Sequence, residues 1–425
     1  MKLMLLCCNK SLCKFFIFNS EPSYPITSTI FTPNNTSFSL VLEAYIRNLR
    51  FNTSTTWKPF LIVTPFHVSH VQATIVCAKN KKFLMKNRNG GHDYEGLSYI
   101  DMKTETAWVE TGATLGEVYY IIDEKMDNVV DALMVDVEGK LFDRKSMGED
   151  LFWAITGGGE ASFVPKTVIV FRVLKTLEQN STDIVYNWHH FAPTINNNLF
   201  ITLVLNVTQN GIKTIRETFV ALFLGDSKSL VSLLNDKFSQ LGLKQSDCIE
   251  TSWLGSVLFS KNTNITALVE VFLNRQPQSV NYLKRKYHYV KKSISKEGLE
   301  GIWRKMIELV DTSLNFNPYG GRMAKIPSTT SHFPHRAGNL WKIQYLANWN
   351  KPGKEVANHY INLTRKLHNN NCNGKNSYAK GKVYGVKYFK DNFNRLVQIR
   401  TKVDPDNFFI VEQSIPMLSY HKLLE

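Results

Sequence analysis

FLMKNRNGGHDYEGLSY, residues 83–99, begins as a short apolar strand and runs into a loop rich in glycine. Gly90 and Gly91, with Gly96 beyond them, allow the backbone to turn sharply or to approach a ligand closely. Between them stand His92 and Asp93. A neutral imidazole is a nucleophile at physiological pH, but an isolated His-Asp pair in a polar loop is more often a solvated feature than a site, so the surroundings must decide. Downstream, TAWVET (106–111) alternates like a strand, and Thr114-x-x-Glu117 is a capping box for the helix VYYIIDEKM. Residues 129–137 read as a strand, Glu138-Gly139 as a turn and 140–143 as the return strand of a hairpin. Ser146-x-x-Glu149 then caps a helix DLFWAI, which Gly157, Gly158 and Gly159 end. Beyond residue 168 come strands (TVIVFRVL, LFITLVLNVT, TFVALFLG), a helix (SLVSLLNDKFSQLG) and, near the end, a helix across 384–395. That order predicts an α+β chain with an antiparallel sheet.

The chain has 425 residues, enough for two or three packed units, and 43% of them are hydrophobic, which is ordinary for a folded protein. No apolar run is long enough to span a bilayer; even LFITLVLNV is interrupted by Thr202 and Asn206. The formal charge of +15 suits nucleic acid, an acidic membrane surface or an acidic polysaccharide equally well. Its lysines and arginines are scattered, at Lys79, Lys81 and Lys82, at Lys284, Arg285 and Lys286, and at Lys291 and Lys292. They form no stripe interleaved with aromatics, so no nucleic-acid partner is expected. Asn-x-Ser/Thr sequons at Asn34, Asn35, Asn52, Asn180, Asn206, Asn264 and Asn362 favour a secreted glycoprotein. The first residues, MKLMLLCC, make a weak leader at best. The pairs His67/His70 and His332/His335 lack a third ligand, so no metal site is expected.

RNGGHDYEGLSY resembles the flavin-attachment loop of the berberine bridge enzyme-like family, plant FAD-linked oxidases with a PCMH-type FAD domain of the vanillyl-alcohol-oxidase kind. Further blocks follow in the family's order: KPFLIVTP (58–65), HVSHVQATIVC (67–77), AWVETGATLGEVYY (107–120), DRKSMGEDLFWAITGGG (143–159), NPYGGRM (317–323), FPHRAGNLWKIQYLANW (333–349) and VDPDNFF (403–409). The resemblance implies FAD as cofactor, joined covalently through His92, with Gly90, Gly91, Asp93, Gly96 and Gly157–Gly159 around it. It also implies a disulfide between Cys13 and Cys77. The architecture it implies is a leader-like segment over 1–25, an FAD-binding domain of two α+β subdomains over 26–170, an antiparallel-sheet substrate domain over 171–375 and a C-terminal segment over 376–425 that completes the FAD domain.

Against the pattern of the family it resembles, the chain lacks three segments. Residues 126–131 pass directly from a helix to the hairpin, where family members carry a second flavin-linking cysteine; residues 161–166 lack a strand; and the segment before Tyr384 lacks the catalytic-tyrosine motif. HYINL (359–363) is only superficially like that motif, because EVANHYINLTRKLH reads as the preceding helix, which makes Tyr360 a helix residue. Lys325 stands where the resemblance calls for an acidic residue. The catalytic residue is therefore left open, with Tyr319, Tyr360 and Tyr384 to be tried. The expected function is oxidation of a small organic substrate, with hydride passing to flavin and O2 accepting the electrons to give H2O2, at an impaired rate. The alternative is an inactive truncated homologue that at most binds flavin or polysaccharide. The expected partners are a small-molecule substrate and O2, the expected state a monomer, and the expected location the apoplast, cell wall or vacuole.

Overall fold

The structure, a computed structural model, describes residues 3–6, 21–44, 46, 48–54, 56, 58–83, 85–88, 133–155, 167–208, 213–266, 271, 280–368, 385–405, 408 and 415–416. Two sheets dominate it. The smaller has the order β2-β3-β1-β4, built from β1 (Leu3–Leu6), β2 (Ile30–Phe31), β3 (Leu61–Val63) and β4 (Met85–Arg88). Leu3–Leu6, read from sequence as part of a leader, pairs antiparallel with both β3 and β4. The helix Val68–Asn80 lies on this sheet, and its Val71, Ile75 and Ala78, spaced four and three apart, pack with Leu61 and Val63. His67 caps its start, with Nδ1 accepting from the Ser69 amide.

The predicted hairpin is present as β5 (Met134–Val135) against β6 (Leu141–Phe142). Its turn needs Gly139: φ is +77°, and a Cβ there would meet the Val76 side chain at 2.5 Å. The helix that follows, Arg144–Ile155, departs from the sequence expectation at its start. Gly148 takes φ 70°, ψ 174° and breaks the first turn. Ser146 therefore pairs with Asp143, and Glu149 with Arg144, in place of the expected Ser146–Glu149 box.

The large sheet has the order β10-β7-β9-β8-β12-β13-β11, antiparallel throughout. Its strands are β7 (Val168–Thr176), β8 (Leu199–Thr208), β9 (Thr214–Phe223), β10 (Ile249–Thr251), β11 (Tyr282–Val290), β12 (Ser313–Pro318) and β13 (Trp341–Trp349). Strand β7 begins at Val168, so this sheet takes in residues on both sides of 170. Alternation along each strand sends Ile201, Leu203, Phe219, Leu314, Phe316, Trp341 and Ile343 to one face, where the helices Ser181–Phe191 and Lys296–Leu309 cover them. The result is an α+β chain in which a large antiparallel sheet accompanies a smaller α+β unit, as the pattern predicted.

The C-terminal region departs from sequence in one respect. A single helix was expected across 384–395, but Lys390 adopts φ 48°, and the helix Asn392–Val403 starts beyond it. A left-handed backbone cannot be carried through an α-helix, so the segment becomes two helices with a turn between. The second one docks on Arg144–Ile155: the Arg395 guanidinium lies 4.0 Å from the Trp153 ring and pairs with Asp150. Trp153 in turn donates from Nε1 to the Thr329 carbonyl at 2.7 Å.

Candidate active site

The face of the large sheet opposite the helices has a different character where β12, β13 and β11 adjoin. Register places Asn317, Lys342 and Tyr289 in one row across three strands, and Asn315, Gln344 and Tyr287 in the next. Thr202 on β8 extends the first row, its hydroxyl 3.0 Å from Asn317 Oδ1. Each of these side chains is half-buried, while its strand neighbours Trp341, Ile343, Leu314 and Phe316 are fully buried on the other side. Period-two alternation in WKIQY and NFNP thus separates chemistry from core.

Aromatic and basic groups wall this surface. His335 stacks on Tyr289 at 4.3 Å, Tyr319 meets Tyr289 edge-on at 5.2 Å, and the Lys342 ammonium lies 5.9 Å from the Tyr287 ring centre. Tyr287 donates to the Tyr388 hydroxyl at 2.6 Å, and His335 Nε2 is 2.9 Å from the Tyr388 carbonyl. The block that carries Tyr319 is held by close backbone approach, since a Cβ on Gly320 would fall 1.9 Å from the Pro193 carbonyl oxygen.

Burial controls protonation here. It drives the Tyr289 phenol far above the usual range, reinforced by Tyr319, so Tyr289 is a hydrogen-bond donor and never a phenolate. Burial pulls the Lys342 ammonium below the ordinary lysine range. Such an amine surrenders its proton more readily than a surface lysine. His335 is kept neutral first by burial and then by the charges of Lys390 and Lys291.

Of the residues singled out from sequence, His92, Gly90, Gly91, Asp93, Gly96, Gly157, Gly158, Gly159, Cys13 and Tyr384 lie outside the described residues. Tyr319 belongs to the site. Tyr360 does not: it sits in the helix Lys354–His368, stacks on Trp349 at 4.9 Å and donates to Asp311 at 3.2 Å. Lys325 is exposed at the end of the short helix Gly321–Lys325. His67 stacks on Tyr24 at 3.9 Å, and His70 bonds the Tyr24 carbonyl. Both serve local structure. Cys77 is a free thiol in a fully enclosed apolar cluster, where burial pushes it up to about 11. In this structure it acts as a core residue and not as half of a disulfide. Asn34, Asn35, Asn52, Asn180, Asn264 and Asn362 are exposed, whereas Asn206 is half-buried within β8. Sequence reading missed Lys342, Gln344, Tyr287 and Tyr289, although the alternation of WKIQY and YHY was there to separate their face from the core.

The site fits a flavin. A row of neutral amides and one lysine offers donors, bounded by flat rings, to a planar heterocycle that carries carbonyl oxygens. Two fully buried cations, Lys86 and Arg88, stand on the strand that feeds the glycine loop.

Comparison with known proteins agrees. Residues 359–416 match the family model described as berberine and berberine like. The chain is 46% identical to berberine bridge enzyme-like 8 of Arabidopsis thaliana, over 94% of this chain and 93% of that one. The chain belongs to the berberine bridge enzyme-like family. Its solved relatives include BBE-like #28 from Arabidopsis thaliana, with a TM-score of 0.85, 31% identity and coverage of 92% of this chain and 99% of that one. Another is Phl p 4, a grass pollen allergen with glucose dehydrogenase activity, with a TM-score of 0.84, 30% identity and coverage of 96% and 100%. The family is one of plant FAD-linked oxidases, so FAD is the cofactor it implies. The alignment with the first relative runs over 495 residues, more than the 425 of this chain, so this chain skips stretches that its relative carries.

Proposed function

We propose that this protein is an FAD-dependent oxidase of a small alcohol, carrying its flavin on His92 alone and using Lys342 as the base. The observation that supports the reading is Lys342: an amine of lowered proton affinity, set among Tyr287, Asn317 and Gln344 on a polar part of the sheet opposite the helix-covered core. When bound, the flavin accepts the hydride of the substrate carbinol and passes two electrons to O2, giving a carbonyl product and H2O2 overall. The residues do the rest. Lys342 takes the hydroxyl proton as the C–H bond breaks, Tyr289 and Asn317 orient the oxygen through hydrogen bonds, and the stacked His335 stays neutral so that it adds no charge beside the developing carbonyl.

His92 lies in the quoted glycine loop, and a second attachment point is absent because no cysteine occurs between Cys77 and Cys248. The exposed sequons support passage through the secretory route, to the cell wall or vacuole. The experiment is acid precipitation followed by peroxide assay. The parent protein should keep yellow flavin in the pellet, His92→Ala should lose it, and the parent should release peroxide with alcohols. A second reading, flavin binding without turnover, is favoured by the skipped stretches; flavin retained by the parent with no peroxide from any alcohol would select it.

A further inference from the structure

On the helix-covered side of the large sheet, away from the polar rows, lies a cavity of about 360 Å³. Three elements bound it: the start of the helix Ser181–Phe191, the start of the helix Lys296–Leu309 and the turn at 239–241. Gln179, Asn180, Asp183, Asn187, Gln240 and Lys296 supply its polar lining, and Ile184 gives it one apolar patch. Asp183 lies 2.5 Å from Lys296 Nζ and accepts from Asn180 Nδ2 at 3.0 Å. These bonds, that of Lys296 first, hold the Asp183 carboxyl below the usual carboxylate range, so it is a charged acceptor at neutral pH. Among the described residues the side chains of Asn187 and Gln240 have no hydrogen-bond partner.

The lining selects its occupant by chemistry. A carboxamide donates and accepts at once, a carboxylate only accepts and an ammonium only donates, and here the carboxylate and the ammonium cancel in charge. Such a set matches a neutral group dense in hydroxyls, and the volume stands at the lower end of sites that take a small molecule. A sugar ring meets both conditions. The sequence adds an independent observation: Asn180-Ser181-Thr182 is a sequon, and Asn180 is both exposed and part of the cavity wall. Its Nδ2, the atom a glycan would occupy, already points at Asp183. The sequon at Asn264 is built otherwise, since its Oδ1 turns back to accept from the Thr266 amide and hydroxyl at 3.0 and 2.8 Å.

We propose that this cavity seats the first sugar of an N-linked glycan carried on Asn180, with Asn187, Gln240 and Lys296 bonding its hydroxyls, so that the glycan ties the two helix starts to the turn at 239–241. The inference rests on passage through the secretory route and is independent of the oxidase reading. The sugar comes from a lipid-linked oligosaccharide diphosphate: the bond from its anomeric carbon to the phosphate oxygen breaks, a bond from that carbon to Asn180 Nδ2 forms, the lipid diphosphate leaves and Nδ2 gives up one proton. The second Nδ2 proton remains, and it keeps the bond to Asp183. The addition precedes folding, because in the folded chain Thr182 is half-buried and its hydroxyl accepts from Trp303 Nε1 at 3.1 Å.

The full chain is made in a secretory host that leaves high-mannose glycans, and mass spectrometry of its peptides reads the occupancy of each sequon. Native protein is then treated with an endoglycosidase that cuts just beyond the first sugar. Release from Asn180 should be slower than release from Asn264 by about tenfold or more, because cleavage waits for the sugar to leave its seat, and the two rates should converge in denaturant. Asn187→Ala and Gln240→Ala should each remove most of that protection while leaving occupancy unchanged. Gln240 is exposed, so its variant folds whatever Asn187→Ala does to the helix. Asn180 bare while other sequons carry sugar overturns the proposal and spares the secretory reading; sugar at no sequon defeats both. Equal release from Asn180 and Asn264 in native protein, or protection that survives both variants, also overturns it.

Discussion

The two faces of the large sheet are built from the same strands, yet they treat ionisable groups in opposite ways. On the helix-covered face Glu217 and His189 are fully enclosed, and none of their side-chain polar atoms has a hydrogen-bond partner. Burial pushes Glu217 up to about 8 and lowers His189 to about 4. Both are therefore neutral over the middle of the pH range. On the other face Lys342 and Tyr289 are half-buried, and the buried His335 stacks on Tyr289 among other polar groups. Burial alone does not make a site. Perturbed groups become chemistry where the sheet leaves them room and partners, and remain a liability where helices seal them in.

Lys342→Met tests the contrast most severely. It keeps the length of the side chain and removes the amine, so peroxide release should fall by roughly a hundred- to ten-thousandfold, the usual worth of a positioned base. Tm should hardly change, because the side chain contributes no core packing. A variant with parental turnover would remove Lys342 from the mechanism and return attention to Tyr319 and Tyr384.

One residue back in sequence, Trp341→Ala should do the reverse. Trp341 is fully buried, stacks on His189 at 4.1 Å and meets Trp188 edge-on at 5.9 Å. Its truncation should cost about 3–5 kcal/mol of stability, read from denaturant midpoints. A milder loss would show that the cluster collapses around the cavity.

How much of this was legible follows from period. Alternation identifies strands and, once a strand is accepted, says which residues share a face; LFITLVLNVT and WKIQYLANW give the sheet in this way. It cannot say which face the helices take, and that choice makes Lys342 a site residue and Trp341 a core one. The kink at Lys390 was invisible for another reason. Nothing in VKYFKDNF forbids a continuous helix, and the left-handed turn is imposed by packing of the Asn392–Val403 helix, where Asn392 bonds the Ser328 and Ser331 carbonyls. The capping box at Ser146 failed because Gly148, a residue compatible with either reading, breaks the turn.

Stability against pH probes the sealed face. For Glu217 the folded value lies above the unfolded one of about 4.5. The carboxyl is neutral in both states below that value, so its contribution is complete there. As pH rises toward 8 the unfolded chain ionises while the folded one does not, and stability declines by a few kcal/mol at most. His189 has the opposite sign: its contribution is present above about 6.5 and lost as pH falls toward 4. Tm should therefore be highest in mildly acidic solution. Glu217→Gln should flatten the alkaline side and leave the acid side unchanged, and an unaltered profile would mean that the carboxyl finds a partner on ionising.

Tyr360→Phe gives the smallest effect and the sharpest statement about the missing tyrosine. The Tyr360 ring lies parallel to Trp349, and Phe preserves that stack. Only the hydroxyl bond to Asp311 is lost, at an exposed position where a neutral-to-charged hydrogen bond competes with water, so stability should fall by no more than about 1 kcal/mol. Its helix, Lys354–His368, packs on the edge of the sheet formed by β11 and β13, with Leu363 and Thr364 buried. The phenol is thereby committed to Asp311, whose charge raises its proton affinity further after burial, the wrong direction for a base. Peroxide release should match the parent. A tenfold loss would mean that HYINL, despite lying on a helix, reaches the reacting centre after all, and the division of labour between the two faces would then have to be redrawn.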